Sequence, residues 1–159
     1  MFWKHLVAQA LAGVGTPAGG PERLAVADDR RELECELVAI DRLACAFERL
    51  SVTIAPLAGA DVAVLKERSG RLAAKLNYLL EPIGLIEADA ERCHVQLRSI
   101  PPQKEDDRTT YYELLAERGG VFSLRRYEAY AGQPRQAIPA EVTREVFLRM
   151  ADDFGALAD

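Results

Sequence analysis

Glu87, Cys93 and His94 are the residues whose types and spacing best fit chemistry in this chain of 159 residues. They fall in two consecutive strand candidates that are separated by a short acidic turn. If the turn contains two residues, Glu87 lies directly across from His94, and a carboxylate there can orient an imidazole to act as a general base. If the turn contains three residues, Glu87 lies across from Cys93 instead. Because neighbours on a strand point to opposite faces, Cys93 and His94 do not form a dyad.

A structural interpretation of the same three residues is simpler, and we favour it. It takes them as a core cysteine, a surface histidine and an incidental carboxylate. The chain contains none of the motifs GxSxG, HExxH or GxGxxG, and no Walker-type phosphate loop. We therefore predict no catalytic residues and lean towards a protein that is not an enzyme.

Metal and cofactor sites are not predicted. The sequence has only two histidines, His5 and His94, so a metal site would consist mostly of carboxylates. Glu105, Asp106 and Asp107 lie in one predicted loop, but they lack the alternating spacing and the glycine of a calcium-binding loop. We interpret them as a solvated charged loop.

Basic residues form a stripe at helical spacing, Arg68, Arg71 and Lys75, and a pair, Arg125 and Arg126. Arginine suits the recognition of phosphate or carboxylate groups. Binding to nucleic acid, however, depends on the neutralisation of phosphates, and the chain has a net charge of −5. We expect the stripe to be the solvated face of a helix, and we do not expect nucleic acid or a membrane surface as a partner.

Four tyrosines, Tyr111, Tyr112, Tyr127 and Tyr130, cluster in two neighbouring strand candidates. Sheet aromatics can stack nucleic-acid bases, but no interleaved basic motif accompanies these. Packing between strands explains them equally well, and tyrosine is enriched at protein interfaces. The cluster therefore indicates either a core or an interface with another protein.

The three cysteines, Cys35, Cys45 and Cys93, include no CxxC pair, so they indicate reduced thiols and a cytoplasmic location. The first 15 residues resemble a weak signal peptide, but Gln9 interrupts the apolar run. A Pro/Gly-rich stretch also separates the run from the candidate cleavage site at residues 25–27. We expect the segment to remain in the mature protein. No apolar run reaches the ~20 residues that span a bilayer.

Two units are expected along the chain. Residues 1–22 form an N-terminal amphipathic helix, which we expect to dock on the core of its own chain, and a Gly/Pro-rich linker. Residues 23–159 form a single α+β domain. Residues 31–54 are interpreted as a β-hairpin turning at Asp41-Arg42, which places Glu34 opposite Arg49; one amphipathic helix is the alternative.

The remaining elements are clearer. A helix capped by Asp61 runs to about Leu80, and four strands then follow one another. A two-residue turn at Gly119-Gly120 places Glu113 opposite Arg126 and Tyr112 opposite Tyr127. This register makes the last hairpin apolar on both faces: Tyr111, Leu115, Phe122 and Leu124 on one, and Tyr112, Leu114, Val121 and Tyr127 on the other. The last helix is expected to begin with Pro139.

These elements predict an α+β fold, with an antiparallel meander of four to six strands, two main helices on one face and a short N-terminal helix. In topology alone the order resembles small acidic α+β proteins such as type III secretion chaperones, and no motif of the chain matches that family. A sheet that is apolar on both faces must be covered on both. We therefore expect a non-enzymatic protein-binding or assembly module that acts as a homodimer through the sheet face. A small-ligand-binding protein or enzyme with a pocket near Glu87 and His94 is the alternative.

Overall fold

The computed structural model describes residues 2–15 and 20–159, which form three α-helices, three short 3-10 helices and ten strands. In chain order the elements are α1 (Trp3–Ala12), β1 (Glu22–Ala27), β2 (Arg31–Ile40), β3 (Ala44–Ile54), α2 (Val62–Lys75), β4 (Ile83–Asp89), β5 (His94–Ser99), β6 (Gln103–Glu105), β7 (Arg108–Glu117), β8 (Val121–Tyr130), β9 (Gln136–Ile138), β10 (Ala140–Thr143) and α3 (Arg144–Gly155). The 3-10 helices are Ala55–Leu57, Leu76–Leu79 and Ala156–Ala158. The predicted α+β class with an antiparallel sheet is confirmed, but the predicted strand number was too low.

The sheet consists of two meanders joined side by side, in the order β1-β2-β3-β8-β7-β5-β4. The join is a short ladder of four residue pairs between β3 and β8, from Leu50 opposite Leu124 to Thr53 opposite Val121. Beyond it the two strands take different partners, since β10 pairs with β3 and β9 pairs with β8. Strand β6 forms a short hairpin with the first residues of β7, where Gln103 lies opposite Thr110 and Glu105 lies opposite Arg108.

One face of the sheet forms the core with the three helices. Residues directly opposite each other on antiparallel strands share a face, and the pairs Leu50–Leu124 and Val52–Phe122 are fully buried. Helix α2 contacts β4, β5 and β7, while α3 contacts β3 and α1 contacts β1. Phe147 of α3 meets Phe47 of β3 edge to face, with ring centroids 5.9 Å apart. Burial of this apolar surface, at about 25 cal/mol per Å², drives the packing.

Helix α1 docks on the core of its own chain, as expected. Trp3, Val7 and Leu11 are buried, and the Trp3 indole Nε1 donates a hydrogen bond of 2.9 Å to the Ala151 carbonyl of α3. Part of the predicted Gly/Pro-rich linker, residues 16–19, lies outside the described residues. Strand β1, which begins at Glu22 and pairs with β2, was not predicted.

Helix α2 begins where the sequence predicted, but it ends at Lys75, and the 3-10 helix Leu76–Leu79 occupies the rest of the segment predicted to be helical to about Leu80. The Asp61 side chain accepts a hydrogen bond of 3.0 Å from the Val64 backbone, which caps the first turn. The apolar stripe is buried, including Ser69 in the same row. The chain leaves the following 3-10 turn through Leu80, which has a left-handed φ of 64°.

The hairpin at residues 31–54 is present, but its register differs from the prediction. Ile40 pairs with Cys45, so the turn is longer than Asp41-Arg42, and Glu34 lies opposite Ser51 rather than Arg49. The Asp41 carboxylate accepts hydrogen bonds from the backbones of Leu43 and Ala44, which stabilises this longer turn.

The last hairpin has a three-residue turn, so its predicted register was wrong by one residue. Glu117 pairs with Val121, which places Tyr111 opposite Tyr127, Tyr112 opposite Arg126 and Glu113 opposite Arg125. The reason is tertiary. Gly120, at a φ of 78°, is packed against residues 54–57, where a Cβ would come within 2.6 Å of the Ile54 carbonyl oxygen.

This shift changes which residues share a face, because a slip of one residue turns every side chain of the partner strand over. Tyr112, Leu114, Phe122 and Leu124 all lie on the helix-covered face, whereas Tyr111, Leu115, Ser123, Arg125 and Tyr127 lie on the other. The hairpin is therefore apolar on one face and largely polar on the other.

The last helix begins five residues later than predicted. Pro139 stands between β9 and β10, and α3 begins at Arg144 with Thr143 as its cap, whose hydroxyl accepts a hydrogen bond of 3.0 Å from Val146. Pairing of residues 140–143 with β3 holds this segment extended. Within the described residues, no helix is both long and apolar enough to cross a membrane.

Candidate functional site

The face of the sheet away from the helices, here called the open face, carries a cluster of tyrosines and arginines on β5, β7 and β8. We call this cluster the Tyr/Arg patch; it comprises Tyr111, Tyr127, Arg98, Arg125 and Arg135, with Glu113 at its centre. Its members share a face because Arg98, Glu113 and Arg125 are in register across the three strands, and Tyr111 and Tyr127 form the next pair.

The two tyrosines form a platform on which the arginines lie. The rings of Tyr111 and Tyr127 stack at 5.9 Å between centroids. The guanidinium of Arg135 lies 3.9 Å from the centroid of Tyr127, Arg125 lies 5.9 Å from the same centroid, and Arg98 lies 5.3 Å from that of Tyr111. Each distance is within the range of a cation–π contact.

Glu113 is the one carboxylate of the patch, and it is 3% exposed. It accepts hydrogen bonds from Gln96 at 3.1 Å and from Arg135, which also donates to the Tyr111 hydroxyl at 3.2 Å. The hydrogen bond to Glu113 raises the pKa of the Arg135 guanidinium above its ordinary value. Three arginines thus outnumber one buried, already bound carboxylate, and the patch is positively charged.

Arg98 and Arg125 differ from Arg135 in their partners. Across the described ranges, neither forms an ion pair with a carboxylate, and the Nε atom of Arg125 is buried without a hydrogen-bond partner. Their guanidinium groups are consequently held by the tyrosine rings rather than by neutralising charges. This arrangement leaves them able to bind carboxylates of another molecule.

The opposite end of the open face is acidic. We call it the acidic half; it comprises Glu32, Glu34, Glu87, Asp89 and Glu117. Two of these are neutralised locally, since Glu34 pairs with Arg23 and Asp89 lies 3.8 Å from Arg92. Along the direction of its strands, the open face is therefore positive at the end that carries the Tyr/Arg patch and negative at the other end.

The residues singled out from the sequence are placed differently from the prediction. Glu87 pairs with Gln96, and His94 pairs with Asp89 on one side and Glu117 on the other, so Glu87 faces neither His94 nor Cys93. A register shift between Leu85 and Glu87 and a longer turn cause the difference. Cys93 lies in that turn at a φ of 53°, and its thiol points to the Ala60 carbonyl at 3.5 Å.

The His94 Nε2 atom is buried and has no hydrogen-bond partner within the described part of the chain. The imidazole is flanked by two carboxylate-bearing residues of the acidic half, Asp89 and Glu117. His94 therefore lies among the carboxylates of the acidic half, and it does not form a dyad with Glu87 or Cys93.

A separate cleft of about 490 Å³ lies on the other face and is lined by residues of β6, β7, β8, β9 and β10 together with Glu81 and Pro139. Its lining includes Arg126, whose guanidinium lies 4.4 Å from the centroid of the Tyr112 ring, with Nη1 3.0 Å from Glu81 Oε2. Arg126 also donates to the Thr110 hydroxyl at 3.0 Å. Glu81 in turn accepts a hydrogen bond of 2.6 Å from Ser99, which fixes the carboxylate.

Within the described residues, neither the basic stripe on α2 nor the acidic loop forms a cluster that resembles a binding site. Arg71 forms an ion pair of 2.8 Å with Glu67, and Arg68 donates to the Leu157 carbonyl at 3.2 Å. Glu105 lies in β6, and Asp106 and Asp107 form its turn. Among residues 2–15 and 20–159, no three His, Cys, Asp or Glu side chains are grouped as a metal site would require.

Comparison of this chain with protein-family models, curated proteins and solved structures found no match. Function is therefore inferred from the geometry of the open face. The sequence indicated the tyrosines and Arg125 of the Tyr/Arg patch, but it indicated Arg98 only weakly and Arg135 not at all. Arg98 belongs to the polar set of an alternating strand, which is a signal for this face, whereas Arg135 lies in a loop that only the fold brings to Tyr127.

Proposed function

We propose that this protein is a non-enzymatic assembly module that binds an acidic surface of a partner protein through the Tyr/Arg patch. The observation that carries the proposal is the set of arginines on stacked tyrosines, of which Arg98 and Arg125 have no carboxylate partner in the described residues. Tyrosine and arginine are the residue types that dominate binding energy at protein interfaces, together with tryptophan.

The chemistry of the surroundings favours a protein over a nucleic acid. The patch shares its face with the acidic half, and the whole chain has a net charge of −5, so a long polyanion would be repelled outside the patch. A folded partner can place its acidic groups on the patch alone. Rigid tyrosine rings also lose little conformational entropy when a partner binds.

The test uses a defined probe, a peptide of consecutive glutamates, titrated into the protein. The protein carries a fluorophore at its N-terminus and is held at nanomolar concentration. We expect saturable binding that weakens with salt and is lost in Arg98→Ala and Arg125→Ala, because each change removes a cation that faces the peptide. Arg71→Ala on α2 is the matched control and should bind as the unchanged protein does. No binding, or equal binding by all variants, would overturn the proposal, and tighter binding of an oligothymidylate would reassign the patch to nucleic acid.

A small-ligand role is the second candidate, and the cleft above Arg126 supports it. A buried ion pair is costly unless its groups are well bonded. Here Glu81 and Thr110 contact one guanidinium that lines a cleft, and Ser99 donates a hydrogen bond to Glu81. Native mass spectrometry of the purified protein tests this role. A bound small molecule that is lost in Arg126→Lys would support it, and the bare mass of the chain would count against it.

A further inference from the structure

The Tyr/Arg patch and the acidic half lie at opposite ends of the same strands. Arg98 and Arg125 of the patch are level with Glu113 on β7, and Glu113 lies roughly 13 Å from Glu117 of the acidic half along an extended strand. That distance exceeds the Debye length of about 8 Å at physiological salt, so each end presents its own potential to an approaching molecule. The open face is thus a surface with one positive and one negative region.

We propose that the partner of the Tyr/Arg patch is a second copy of this chain, related by a two-fold axis that places each patch on the acidic half of the other copy. This inference rests on the proposed function, because it names the partner of the same patch. The acidic surface that the patch requires is present on the chain itself, in Glu32, Glu87 and Glu117, which form no ion pair within the described ranges.

Symmetry makes the two surfaces complementary. In a two-fold interface the same face is used twice, so a residue that contacts another is itself contacted by it. An axis between two stacked sheets, perpendicular to their strands, reverses the strand direction from one copy to the other. The positive end of each open face then lies over the negative end of its partner, and both contacts form together. Stacked sheets with nearly aligned strands are a common way to pack two such faces.

The open face also offers apolar surface to such an interface. Leu115 lies between the two charged regions, Val121 lies opposite Glu117, and Tyr127 belongs to the Tyr/Arg patch; all three are half-buried in the free chain. A partner sheet would remove their remaining apolar surface from water. The charged groups would set the orientation and these apolar side chains would contribute affinity.

A charge exchange tests this arrangement. In the basic variant Glu87→Lys and Glu117→Lys reverse the acidic half, and in the acidic variant Arg98→Glu and Arg125→Glu reverse the patch. Sedimentation equilibrium should show a dimer for the unchanged chain, at least ~10-fold weaker dimers for each variant alone, and recovery of the dimer when the two variants are mixed. The pair Glu67→Lys and Arg71→Glu on α2 is the control and should leave the dimer unchanged. If the acidic variant fails to fold beside Glu113, Arg98→Gln and Arg125→Gln replace it and should also weaken the dimer.

Each other outcome overturns a different statement. If the unchanged chain stays monomeric at high micromolar concentration, the second copy is not the partner, while the peptide titration above decides the proposed function independently. If the chain dimerises but neither variant weakens the dimer, the interface lies elsewhere. If each variant weakens the dimer and the mixture does not restore it, the two ends do not face each other and the two-fold arrangement is wrong.

Discussion

The rings of Tyr111 and Tyr127 stack at 5.9 Å because the two residues stand directly opposite each other on β7 and β8. The pair supports the guanidinium groups of Arg98 and Arg135 on the open face. Its loss should therefore affect binding more than folding.

Tyr127→Ala should raise the dissociation constant of the dimer while the fold is retained. A tyrosine that is a hot spot of an interface contributes about 2 kcal/mol or more to binding, whereas the stacked pair contributes only about 1 kcal/mol to the stability of the chain. Sedimentation equilibrium and urea unfolding measure the two effects. Tyr130→Ala, at the exposed end of the same strand, is the control, and an equal effect of both changes would contradict the prediction.

The ion pair between Glu81 and Arg126 should be important for stability once one partner is removed. Glu81→Leu leaves a buried guanidinium without its carboxylate and should destabilise the fold by about 3–5 kcal/mol. Adding Arg126→Met should recover a large part of this loss, since an apolar pair needs no neutralisation. Urea unfolding of the single and double variants checks the prediction; a double variant no better than the single would contradict it. Glu67→Ala, in an exposed pair with Arg71, should cost less than about 1 kcal/mol.

The contact between Gly155 and Trp3 should couple α1 to α3. Gly155 has an ordinary helical φ of −62°, but a Cβ there would lie 2.3 Å from the Trp3 ring. Gly155→Ala should therefore destabilise the fold by about 1–3 kcal/mol through overpacking. In a Trp3→Ala background the same change should cost almost nothing. A cost that persists without the indole, as measured by thermal unfolding, would show that another neighbour is responsible.

Asp28 should make stability depend on pH in the acid range. Burial alone would raise its pKa, but hydrogen bonds from the Arg30 backbone and from the Arg31 side chain and backbone outweigh burial, and the pKa is lowered from 3.8. A lowered pKa means that the folded state favours the charged form, so this stabilisation is complete above the unfolded pKa and is lost as the pH falls through the folded pKa. The stability difference between the unchanged chain and Asp28→Asn should thus shrink from about pH 6 to about pH 2. A pH-independent difference in urea unfolding would contradict this.

Cys35 and Cys45 should be unreactive in the folded chain. Burial raises the pKa of the Cys45 thiol to about 11 and that of Cys35 well above its ordinary value, so neither is ionised near neutral pH. Because the thiolate is the nucleophile, Ellman's reagent should modify both only as fast as the protein opens. The Cys35→Ala and Cys45→Ala variants identify each signal. Rapid modification of either thiol without denaturant would contradict the prediction.

The sequence predicted the elements that have their own periodicity. Helix α2 and the strands of both long hairpins followed from their apolar patterns and from the cap at Asp61. Strands β6, β9 and β10 have three or four residues each, and no period can be read from so few; they are extended because β7, β8 and β3 are beside them. Because residues 140–143 pair with β3, helix α3 begins after the cap at Thr143 and not at Pro139.

Registers were harder to predict than elements, and the candidate site depends on them. The contact of Gly120 with residues 54–57 decides the turn of the last hairpin, and no local pattern reports a contact that far along the chain. That one-residue difference moves Arg125 opposite Glu113 and so creates the Tyr/Arg patch. Arg135 joins it from a loop, where spacing carries no information about position.

The division of the sheet into two meanders has a consequence for the folding kinetics. Within each meander every strand pairs with a neighbour in sequence, so both can form from contacts that close quickly. The ladder between Leu50–Thr53 and Val121–Leu124 requires the chain to close a loop of roughly 70 residues before any of its four pairs forms. We therefore expect the joining of β3 to β8 to be the late and rate-limiting event, with Gly120 against residues 54–57 as the contact that registers the two halves.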